Sequence, residues 1–324
     1  AAGTGLSTHE LNQPGCYRDV KDTTITAQFK VVKDDKSGFL FKDERQVYFL
    51  AWTTTPWTLP SNTALAVGAK INYVRVNTFN AYTGNPISVV LAKDLIPGYF
   101  NQKAKDIKPE DYKTGDKLIP YEVVDEFQGS VLEGIRFEQL IPWIKPDGDA
   151  FRVIVGDFVT TEDGTGIVHI APTFGADDDR VAKASGIVPL VLIDKLGSKR
   201  PMVDLKGRFF KIEELDDKFV GNFVNIDAYK DYAGRYVKND YDNSATEESP
   251  NLDIDISVML KLEDKAFKIE KYVHNYPHCW RTDKPILYYP LDSWFVKTTA
   301  FKERMIELNN TTNATPNATV FGIF

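Results

Sequence analysis

Cysteine and histidine are both scarce in this 324-residue sequence, and their scarcity excludes several kinds of site. The two cysteines, Cys16 and Cys279, cannot build a disulfide framework, and no C-x-x-C pair suggests bound zinc. We therefore expect two reduced thiols, as in a reducing compartment. The four histidines stand in neither a metal-ligand spacing nor a Ser/His/Asp arrangement. The sequence thus predicts no metal site and no protein nucleophile.

Long apolar runs are absent as well, and the charge balance is acidic. No apolar stretch approaches the length of a membrane span, and the N-terminus shows no basic region followed by an apolar run. We therefore expect a soluble, cytoplasmic protein without a membrane partner. The net charge of −7 argues against a basic surface that coats nucleic acid, although a local basic patch leaves RNA open as a substrate.

Short apolar and alternating segments are spread along the chain. They predict strands at 47–52, 71–79, 87–92, 151–155, 166–171 and 188–193. Helical patterns occur at 178–185, 211–219, 226–236 and 300–309. Strands outnumber helices without a regular alternation, which favours an α+β fold with a β-barrel-like sheet and peripheral helices. The acidic, turn-rich residues 240–255 indicate an exposed insertion or the edge of the domain.

A threonine-rich segment follows the first of these strands and runs Thr53-Thr54-Thr55-Pro56-Trp57-Thr58-Leu59-Pro60-Ser61-Asn62. Each proline removes a backbone donor and pushes the preceding residue toward extended geometry, so the segment suits neither a regular helix nor a strand. A rigid chain of this kind presents hydroxyl and backbone groups in fixed positions, as a polar ligand pocket requires. An ordinary turn or a β-edge segment explains the same composition.

A second segment, residues 163–179, combines glycines, a histidine and a run of three aspartates. Two glycines open a strand, His169 lies near its end, and Gly175 permits a tight turn into a helix. Asp177 to Asp179 then occupy the first helical turn, where carboxylates are favoured. Taken singly, these residues are explained by a strand-end histidine and a helix cap. Taken together, they predict a pocket in which a carboxylate holds a cationic amine and bound water reacts.

These segments resemble the editing (CP1) domain of isoleucyl-tRNA synthetase, a class I enzyme. The similarity rests on W-T-T-T-P-W-T-L-P-S-N at 52–62 and G-T-G-I-V-H-I-A-P-x-F-G-A-D-D at 164–178, with further motifs at 276–288 and 293–296. Thr55 stands where leucyl and valyl relatives carry arginine, which favours the isoleucyl branch. Phe174 stands where bacterial members usually have histidine, so we expect a eukaryotic, cytoplasmic source. The motifs that make aminoacyl-adenylate are missing, so we expect no aminoacylation.

The resemblance also implies a division of the chain. Residues 1–45 would form an incoming segment and linker, and 46–275 the core of the editing domain, with an acidic insertion near 240–255. Residues 276–310 would return toward the catalytic core of the synthetase, and 311–324 would be a loose tail. The implied partners are the remainder of the synthetase and the tRNA for isoleucine.

The function implied by the resemblance is hydrolytic proofreading of the 3′-terminal adenosine that carries a misattached valine, with valyl-adenylate as a further candidate substrate. Asp178 would bind the α-ammonium group of valine, and His169 would help to refuse isoleucine and hold the scissile ester. Thr53, Thr54, Thr55 and Thr58 would line the pocket for the terminal adenosine and position the water. Asn62 would support the ribose or the water. The catalytic set would be Asp178, His169, Thr54 and Thr55, and the additional binding residues would be Thr53, Thr58 and Asn62. No cofactor would be needed.

Two other kinds of function stay open at this point. The chain could hold the end of a tRNA or a partner without catalysis, or it could be a free-standing hydrolase that acts in trans. The return segment argues against the second alternative, because such a segment makes sense in a chain that re-enters another domain. Selective deacylation of valyl-tRNA over isoleucyl-tRNA distinguishes editing from binding alone.

Overall fold

The computed structural model describes residues 5–246, 248–290, 294 and 296–311. The chain divides into two compact units, one up to Tyr289 and the other from Pro290 onward. Apart from Thr311, the predicted loose tail lies outside the described residues. Ser293 and Phe295 of the predicted return segment also lie outside them. The predicted domain boundaries therefore stay predictions.

The first unit contains all of the strands that follow, and both units contain helices. The strands are β1 (Tyr17–Lys30), β2 (Gln46–Thr53), β3 (Ala64–Val67), β4 (Asn72–Phe79), β5 (Pro86–Ala92), β6 (Glu122–Gln128), β7 (Arg152–Val155), β8 (Ile167–Ile170), β9 (Leu192–Ile193), β10 (Lys199–Arg200) and β11 (Ala266–Pro277). The α-helices are α1 (Thr8–Leu11), α2 (Ile96–Tyr99), α3 (Ala176–Ala184), α4 (Asp217–Phe223), α5 (Ile226–Tyr229), α6 (Leu252–Leu262) and, in the second unit, α7 (Lys302–Thr311). Short 3₁₀ helices lie at Gly38–Leu40, Pro56–Ser61, Lys93–Leu95, Gln102–Ala104, Pro109–Asp111, Gly129–Leu132, Ile212–Glu214, Asn239–Tyr241 and Thr298–Phe301.

A six-stranded sheet in the order β11-β1-β2-β5-β4-β6 forms the larger part of the first unit. The β2–β5 pair is parallel, whereas the other neighbours are antiparallel. A two-stranded ribbon pairs β9 with β10. This mixture of sheets and separate helices confirms the α+β class. The order ends at β6 and β11 within the described residues, so closure into a barrel is not shown.

The longest strand, β1, lies where the sequence predicts only a mixed, polar incoming segment. Its second half is buried although it contains Thr24, Thr26 and Gln28. The strand lies between β2 and β11, and its polar side chains find partners in the interior. The Gln28 amide, for example, donates to the Asp264 carbonyl and accepts from the Asn80 amide. Such paired polar residues conceal a buried strand from a reading based on apolar patterns.

A three-stranded sheet in the order β7-β3-β8 is joined to the larger sheet by buried hydrogen bonds. The Thr165 hydroxyl donates to the Leu50 carbonyl of β2 at 2.6 Å. The Tyr73 hydroxyl of β4 donates to the Gly166 carbonyl at 2.6 Å and accepts the Gly68 N–H at 3.0 Å. Gly166 has a φ of +71°, which glycine adopts without strain. These bonds bring the start of β8 against the end of β5, where Ala92 N–H donates to the Thr165 carbonyl at 2.8 Å.

One extended apolar core connects the sheets with the C-terminal part of the first unit. It includes Phe49 of β2 and Trp143, which packs edge-on against Phe209 with ring centroids 5.8 Å apart. Helix α6 buries Leu252 and Ile256 in the same core. Burial of each such side chain stabilises the fold by about 1.5–3 kcal/mol relative to exposure. Helix α6 is therefore an integral part of the domain.

Most of the predicted strands are confirmed, whereas the helix predictions are less accurate. Strands predicted at 47–52, 71–79, 87–92, 151–155 and 166–171 match β2, β4, β5, β7 and β8 within two residues. Of the strand predicted at 188–193, only the two residues of β9 form a strand in the structure. The helices predicted at 178–185 and 300–309 match α3 and α7, whereas 211–219 is interrupted before α4 and 226–236 is reduced to α5. The segment 240–255, predicted as an exposed insertion or the edge of the domain, ends in the first turn of α6, which begins at Leu252 and buries Leu252 and Asp253.

Within the described residues, no helix combines the length and apolar character that crossing a membrane requires.

Replacing Tyr73 by phenylalanine should lower the free energy of unfolding by about 1–3 kcal/mol, because the Gly68 N–H and the Gly166 carbonyl both lose a buried partner. Urea unfolding followed by circular dichroism measures this difference. The control is Tyr17→Phe, since Tyr17 is 53% exposed. Equal unfolding midpoints for the two variants would show that Tyr73 does not join the sheets.

Candidate functional site

The threonine-rich segment leaves the six-stranded sheet at Thr53, the last residue of β2, and turns into the 3₁₀ helix Pro56–Ser61. Proline suits the first position of a helix because its φ is preset and its missing N–H needs no partner. Thr55, directly before it, has a φ of −129° and a ψ of 73°, outside the α region that proline disfavours for the preceding residue. All six residues of the helix are buried. The segment is therefore held in place by packing before any ligand arrives.

Three threonine hydroxyls form a chain of contacts that ends at His169. The Thr53 Oγ1 accepts the Thr55 backbone N–H at 3.0 Å and lies 3.3 Å from the Thr55 Oγ1. The Thr55 Oγ1 lies 3.4 Å from the Thr58 Oγ1, which is 3.2 Å from the His169 Nε2. The structure thus brings Thr53, Thr55, Thr58 and His169 into one network.

The directions of these hydrogen bonds assign the tautomer of His169. The Thr58 hydroxyl donates its single proton to the Thr55 carbonyl oxygen at 2.8 Å. Its oxygen can therefore only accept from His169, so the His169 Nε2 carries the proton. The Nδ1 is left as an acceptor, and it is buried without a hydrogen-bond partner among the described residues.

Burial keeps the His169 imidazole neutral. The residue is 9% exposed, and this burial lowers its pKa from 6.5 to about 4, because desolvation disfavours the charged form. At neutral pH the His169 ring is therefore uncharged and cannot act as an imidazolium acid. It donates to Thr58 through one ring nitrogen and offers a lone pair on the other.

Asp178 lies in the first turn of α3 and folds back onto the end of β8. Its Oδ2 accepts the Ala171 N–H at 2.8 Å. Gly175 makes this approach possible, since a Cβ at that position would lie 2.8 Å from the Asp178 Cγ. Burial raises the pKa of Asp178 to about 6, against the opposing effect of the Ala171 N–H, and the negative charge of Asp177 adds to the rise.

The two neighbouring aspartates contact surface cations instead. The Asp177 carboxylate lies 3.2 Å from Arg180, and that of Asp179 lies 2.6 Å from Lys183, both pairs along the surface of α3. Asp178 is therefore the aspartate of the three whose carboxylate contacts the end of β8. Asp178 is also the aspartate that the resemblance selects from the run, and its role stays a prediction.

Thr54 and Asn62 stand apart from the threonine–histidine network. Thr54 is half-buried, and its side chain makes no hydrogen bond to any described residue. Asn62 is 2% exposed, and its amide donates to the Ala64 carbonyl at 2.8 Å and to the Ile170 carbonyl at 3.4 Å. The Asn62 amide thus ties the end of the 3₁₀ helix to β3 and β8, while the Thr54 hydroxyl is available to a ligand.

Buried polar atoms without a partner are concentrated around this network. In the described part of the chain they include Trp57 Nε1, Ser61 Oγ, Asn62 Oδ1, Thr63 Oγ1 and Thr173 Oγ1, together with the Nδ1 already named. A buried polar atom that lacks a hydrogen bond costs about 1–3 kcal/mol, so such atoms mark a strained or ligand-binding region. Sequence reasoning did not select Ser61, Thr63 or Thr173, because isolated hydroxyl residues carry no distinctive pattern.

Asp253 of α6 is a further contact residue that the sequence analysis missed. It is 4% exposed, and its Oδ1 accepts the backbone N–H of Trp57 at 2.8 Å. The signal that could have indicated it is the helix start at Asn251, a favourable N-cap residue that precedes apolar residues at helical spacing. In that helix Asp253 lies on the buried side next to Leu252.

Two clefts in the described part of the chain lie elsewhere. A cleft of about 620 Å³ is lined by residues within 136–151 and 221–225, and one of about 460 Å³ by Arg45 and residues within 77–79, 105–109 and 120–123. Neither contains any of the predicted site residues. Among the described residues, no three His, Cys, Asp or Glu side chains are grouped so that they could hold a metal ion. The candidate site is therefore described by the contacts among its residues and not as the lining of either cleft.

The direction of the His169–Thr58 bond decides what chemistry the network can perform. A hydroxyl nucleophile needs a neighbouring base that accepts its proton, whereas His169 donates to Thr58. The threonines therefore act as fixed hydrogen-bonding groups. Such groups can position a polar ligand or water, and the Asp178 carboxylate at the end of β8 can accept a charge-assisted hydrogen bond from a cation.

The whole chain is similar in sequence to known proteins. The chain is 64% identical over all 324 residues to the isoleucine–tRNA ligase of Bacteroides fragilis. It is 60% identical over 325 aligned residues to that of Porphyromonas gingivalis, and 37% identical over 317 to that of Clostridium tetani, with 97% of this chain covered in the latter. The chain is homologous to a segment of isoleucine–tRNA ligases. It spans 28% of the length of the first two ligases and 23% of the third.

The other comparisons are less informative. No protein-family model matches the chain. The crystal structure of GlLeuRS-CP1 superimposes with a TM-score of 0.47 and 15% identity, and covers 77% of this chain and 100% of that one. The editing domain of the Plasmodium knowlesi cytosolic leucyl-tRNA synthetase superimposes with a TM-score of 0.38 and 12% identity, over 51% of this chain and 64% of that one. Likenesses this distant say nothing about the site.

The expectation of a eukaryotic source is not supported. The isoleucine–tRNA ligases that match the entire chain at 60–64% identity come from Bacteroides and Porphyromonas, which are bacteria. That expectation depended on a single residue, Phe174. In the structure the Phe174 ring packs against Trp57 with centroids 4.9 Å apart, so an aromatic residue there has a packing role.

The assignment of His169 predicts a specific spectroscopic state. In the chain labelled with ¹⁵N-histidine, the His169 side chain should show the neutral Nε2–H tautomer at pH 7 and should become protonated only as the pH approaches about 4. The His169→Gln variant identifies its signals among those of the four histidines. A proton on Nδ1, or titration near pH 6.5, would contradict the assignment.

Proposed function

We propose that this chain is the editing domain of an isoleucyl-tRNA synthetase and that it hydrolyses valine from mischarged tRNA for isoleucine. The observation that carries the proposal is the network of the buried Thr53, Thr58 and His169 with the half-buried Thr55, found in a chain homologous along its whole length to isoleucine–tRNA ligases. The free-standing hydrolase is disfavoured by the same homology, since the chain spans only 28% and 23% of the length of these relatives.

The need for such a site follows from the size of the amino acids. Valine and isoleucine differ by one methylene, whose burial contributes about 0.8 kcal/mol. Isoleucyl-tRNA synthetase is the standard example of an enzyme for which this difference is too small for binding alone to discriminate. A second site that admits valine and excludes isoleucine by steric overlap solves the problem, because a rigid wall rejects an extra methylene more strongly than a missing contact rejects a smaller side chain.

Asp178 would anchor the α-ammonium group of the misattached valine. With a pKa of about 6 its carboxyl group is mostly ionised at pH 7.5, and an ammonium group beside it favours the ionised form further. The contact with the Ala171 N–H holds one carboxylate oxygen at the end of β8. A charge-assisted hydrogen bond from the ammonium group then orients the scissile ester relative to His169.

His169 would form the wall beside the valine side chain and the terminal ribose. Because the ring is buried and bonded to Thr58, it has little freedom to move away from an extra methylene. Its free Nδ1 lone pair suits a hydroxyl of the substrate ribose or a water molecule as donor. The neutral state is consistent with a positioning role.

The threonines and Asn62 would hold the terminal adenosine and the hydrolytic water. Thr54 offers a hydroxyl that has no hydrogen-bond partner among the described residues, whereas the hydroxyls of Thr53, Thr55 and Thr58 are already fixed by one another. Water is then the nucleophile, and the rate enhancement comes from proximity and from preorganised hydrogen bonds, with no cofactor. The partners are the tRNA for isoleucine and the rest of the synthetase, and the compartment is the cytoplasm. Valyl-adenylate is a second substrate to test.

Asp178→Asn tests the anchor, because asparagine keeps an oxygen for the Ala171 N–H and removes the negative charge. At pH 7.5 the wild-type chain should release valine from valyl-tRNA for isoleucine, and the variant should lose about a hundredfold or more in kcat/KM. Deacylation is followed with radiolabelled valine. The control is Asp179→Asn, since Asp179 contacts Lys183 on the surface.

Several outcomes would contradict this assignment. Full activity of Asp178→Asn would refute the ammonium anchor. Binding of the tRNA without release of valine by the wild-type chain would instead favour a binding module, and equal release of valine and isoleucine would refute proofreading.

His169→Ala should relax the exclusion of isoleucine, because it removes the buried ring that forms the wall. The expected result is a gain of about tenfold or more in the hydrolysis of isoleucyl-tRNA relative to valyl-tRNA. Both rates are measured with the same enzyme preparation, and thermal unfolding checks that the variant is folded. An unchanged ratio of the two rates would show that His169 is not the gate.

A further inference from the structure

The carboxyl group of Asp253 is buried deeply for an acidic residue. The side chain lies in the first turn of α6 and is 4% exposed. Burial raises its pKa to about 7, although the charge of Lys238 and the Trp57 N–H act in the opposite direction. A buried acid of this kind costs stability unless it makes compensating contacts. Its position therefore calls for an explanation beyond the capping of its own helix, which Asn251 provides by accepting the Ile254 N–H.

The compensating contact is with the threonine-rich segment. The first backbone N–H groups of a helix have no partner within that helix. In the helix Pro56–Ser61, proline has no N–H, and the side chain of Thr55 at the N-cap accepts no backbone N–H of the helix. The first free donor is therefore the Trp57 N–H, and Asp253 accepts it at 2.8 Å from 196 positions away in the sequence.

The surroundings of Asp253 are charged and connect it to the six-stranded sheet. The Lys238 Nζ lies 3.2 Å from the Asp22 Oδ2 of β1, and the His274 Nε2 of β11 lies 3.2 Å from the same oxygen. Burial acts to lower the pKa of Lys238. The negative charges that include Asp253 and Asp22 outweigh this effect and hold that pKa above its usual range. The Lys238–Asp22 pair remains if Asp253 loses its charge, so neutralising Asp253 leaves the cation with a partner.

We propose that Asp253 is a positioning residue for the hydrolytic site: by accepting the Trp57 N–H it fixes the helix Pro56–Ser61 and thereby holds Thr58 against His169. This role requires a hydrogen-bond acceptor at residue 253 and does not require a negative charge, because both the neutral and the ionised carboxyl group offer an oxygen to the Trp57 N–H. A shift of about 1 Å in such a segment is enough to lower a rate about a hundredfold. The activity readout of this inference rests on the proposed function, whereas its structural readout does not.

The alternative is a purely structural role, in which Asp253 only attaches α6 to the domain. Such a role would lower stability and activity together, and it would not depend on whether the replacement keeps an acceptor. Asp253→Asn keeps an oxygen for the Trp57 N–H, whereas Asp253→Ala removes it. Lys238→Met removes the neighbouring charge but leaves the Asp253–Trp57 contact in place.

The first measurement is the exchange of the Trp57 and Thr58 backbone amides in the ¹⁵N-labelled chain, followed by NMR. In Asp253→Ala both amides should exchange about tenfold faster or more, while amides of β4 and β5 keep their rates. In Asp253→Asn and Lys238→Met the Trp57 amide should stay protected. The matched control is Asp255→Asn, since Asp255 lies two residues further along α6 and contacts Arg235 at 2.6 Å.

The second measurement is the hydrolysis of valyl-tRNA for isoleucine by the same variants. Asp253→Ala should lower kcat about tenfold or more with KM nearly unchanged, and Asp253→Asn should stay within about threefold of the wild-type kcat. In the double variant Thr58→Val/Asp253→Ala the two losses should be less than additive, because both changes act on the same contact to His169.

Two results would overturn the inference. One is retained protection of the Trp57 amide in Asp253→Ala, and the other is an Asp253→Asn variant as defective as Asp253→Ala in both exchange and kcat. If Asp253→Ala does not fold, Asp253→Asn still decides the question, because loss of Trp57 protection in that folded variant refutes the role of the acceptor. If the wild-type chain does not hydrolyse valyl-tRNA, the proposed function fails while the amide exchange still tests the positioning.

Discussion

Backbone pairing between β3 and β8 is the constraint on which the candidate site depends. The threonine-rich segment runs directly into β3, and Thr63 N–H donates to the Ile170 carbonyl at the end of β8. In the same register His169 lies opposite Leu65. Two segments about a hundred residues apart are thereby held side by side, and the contact between Thr58 and His169 follows from that pairing. The Asn62 amide reinforces it by donating to carbonyls of both strands.

Burial then decides which chemistry the side chains can perform. An exposed histidine would be partly charged near neutral pH, whereas the buried His169 stays neutral down to about pH 4. The same effect brings Asp178 to a pKa of about 6, still low enough for a carboxylate at pH 7.5. Asp178 is thus an anionic group at the end of β8, the strand that also carries the neutral His169. In the proposed function, the carboxylate would recognise an amino group and water would attack the neighbouring ester.

Parts of the fold and the site could be predicted because their patterns are local. The strands β2, β4 and β5 are apolar or alternating runs, and the threonine-rich segment and His169 lie in motifs that are contiguous in sequence. Strand β1 could not be recognised, since its buried half carries threonines and a glutamine that are paired with distant groups. Asp253 was missed for a related reason. Its acidic neighbours indicate an exposed segment, and only the packing of α6 buries it under Trp57.

The α+β class and the proline-restricted threonine-rich segment follow from local sequence properties, namely strand periodicity and proline geometry. The choice of His169 and Asp178 came from contiguous motifs that resemble a known family, and their roles stay predictions. The tertiary structure alone decided that the Thr58 hydroxyl accepts from His169, that the imidazole is neutral, and that Asp253 caps the helix Pro56–Ser61. Tautomers, pKa values and caps from distant residues depend on which groups share a low-dielectric interior, and that follows from the pairing of remote strands.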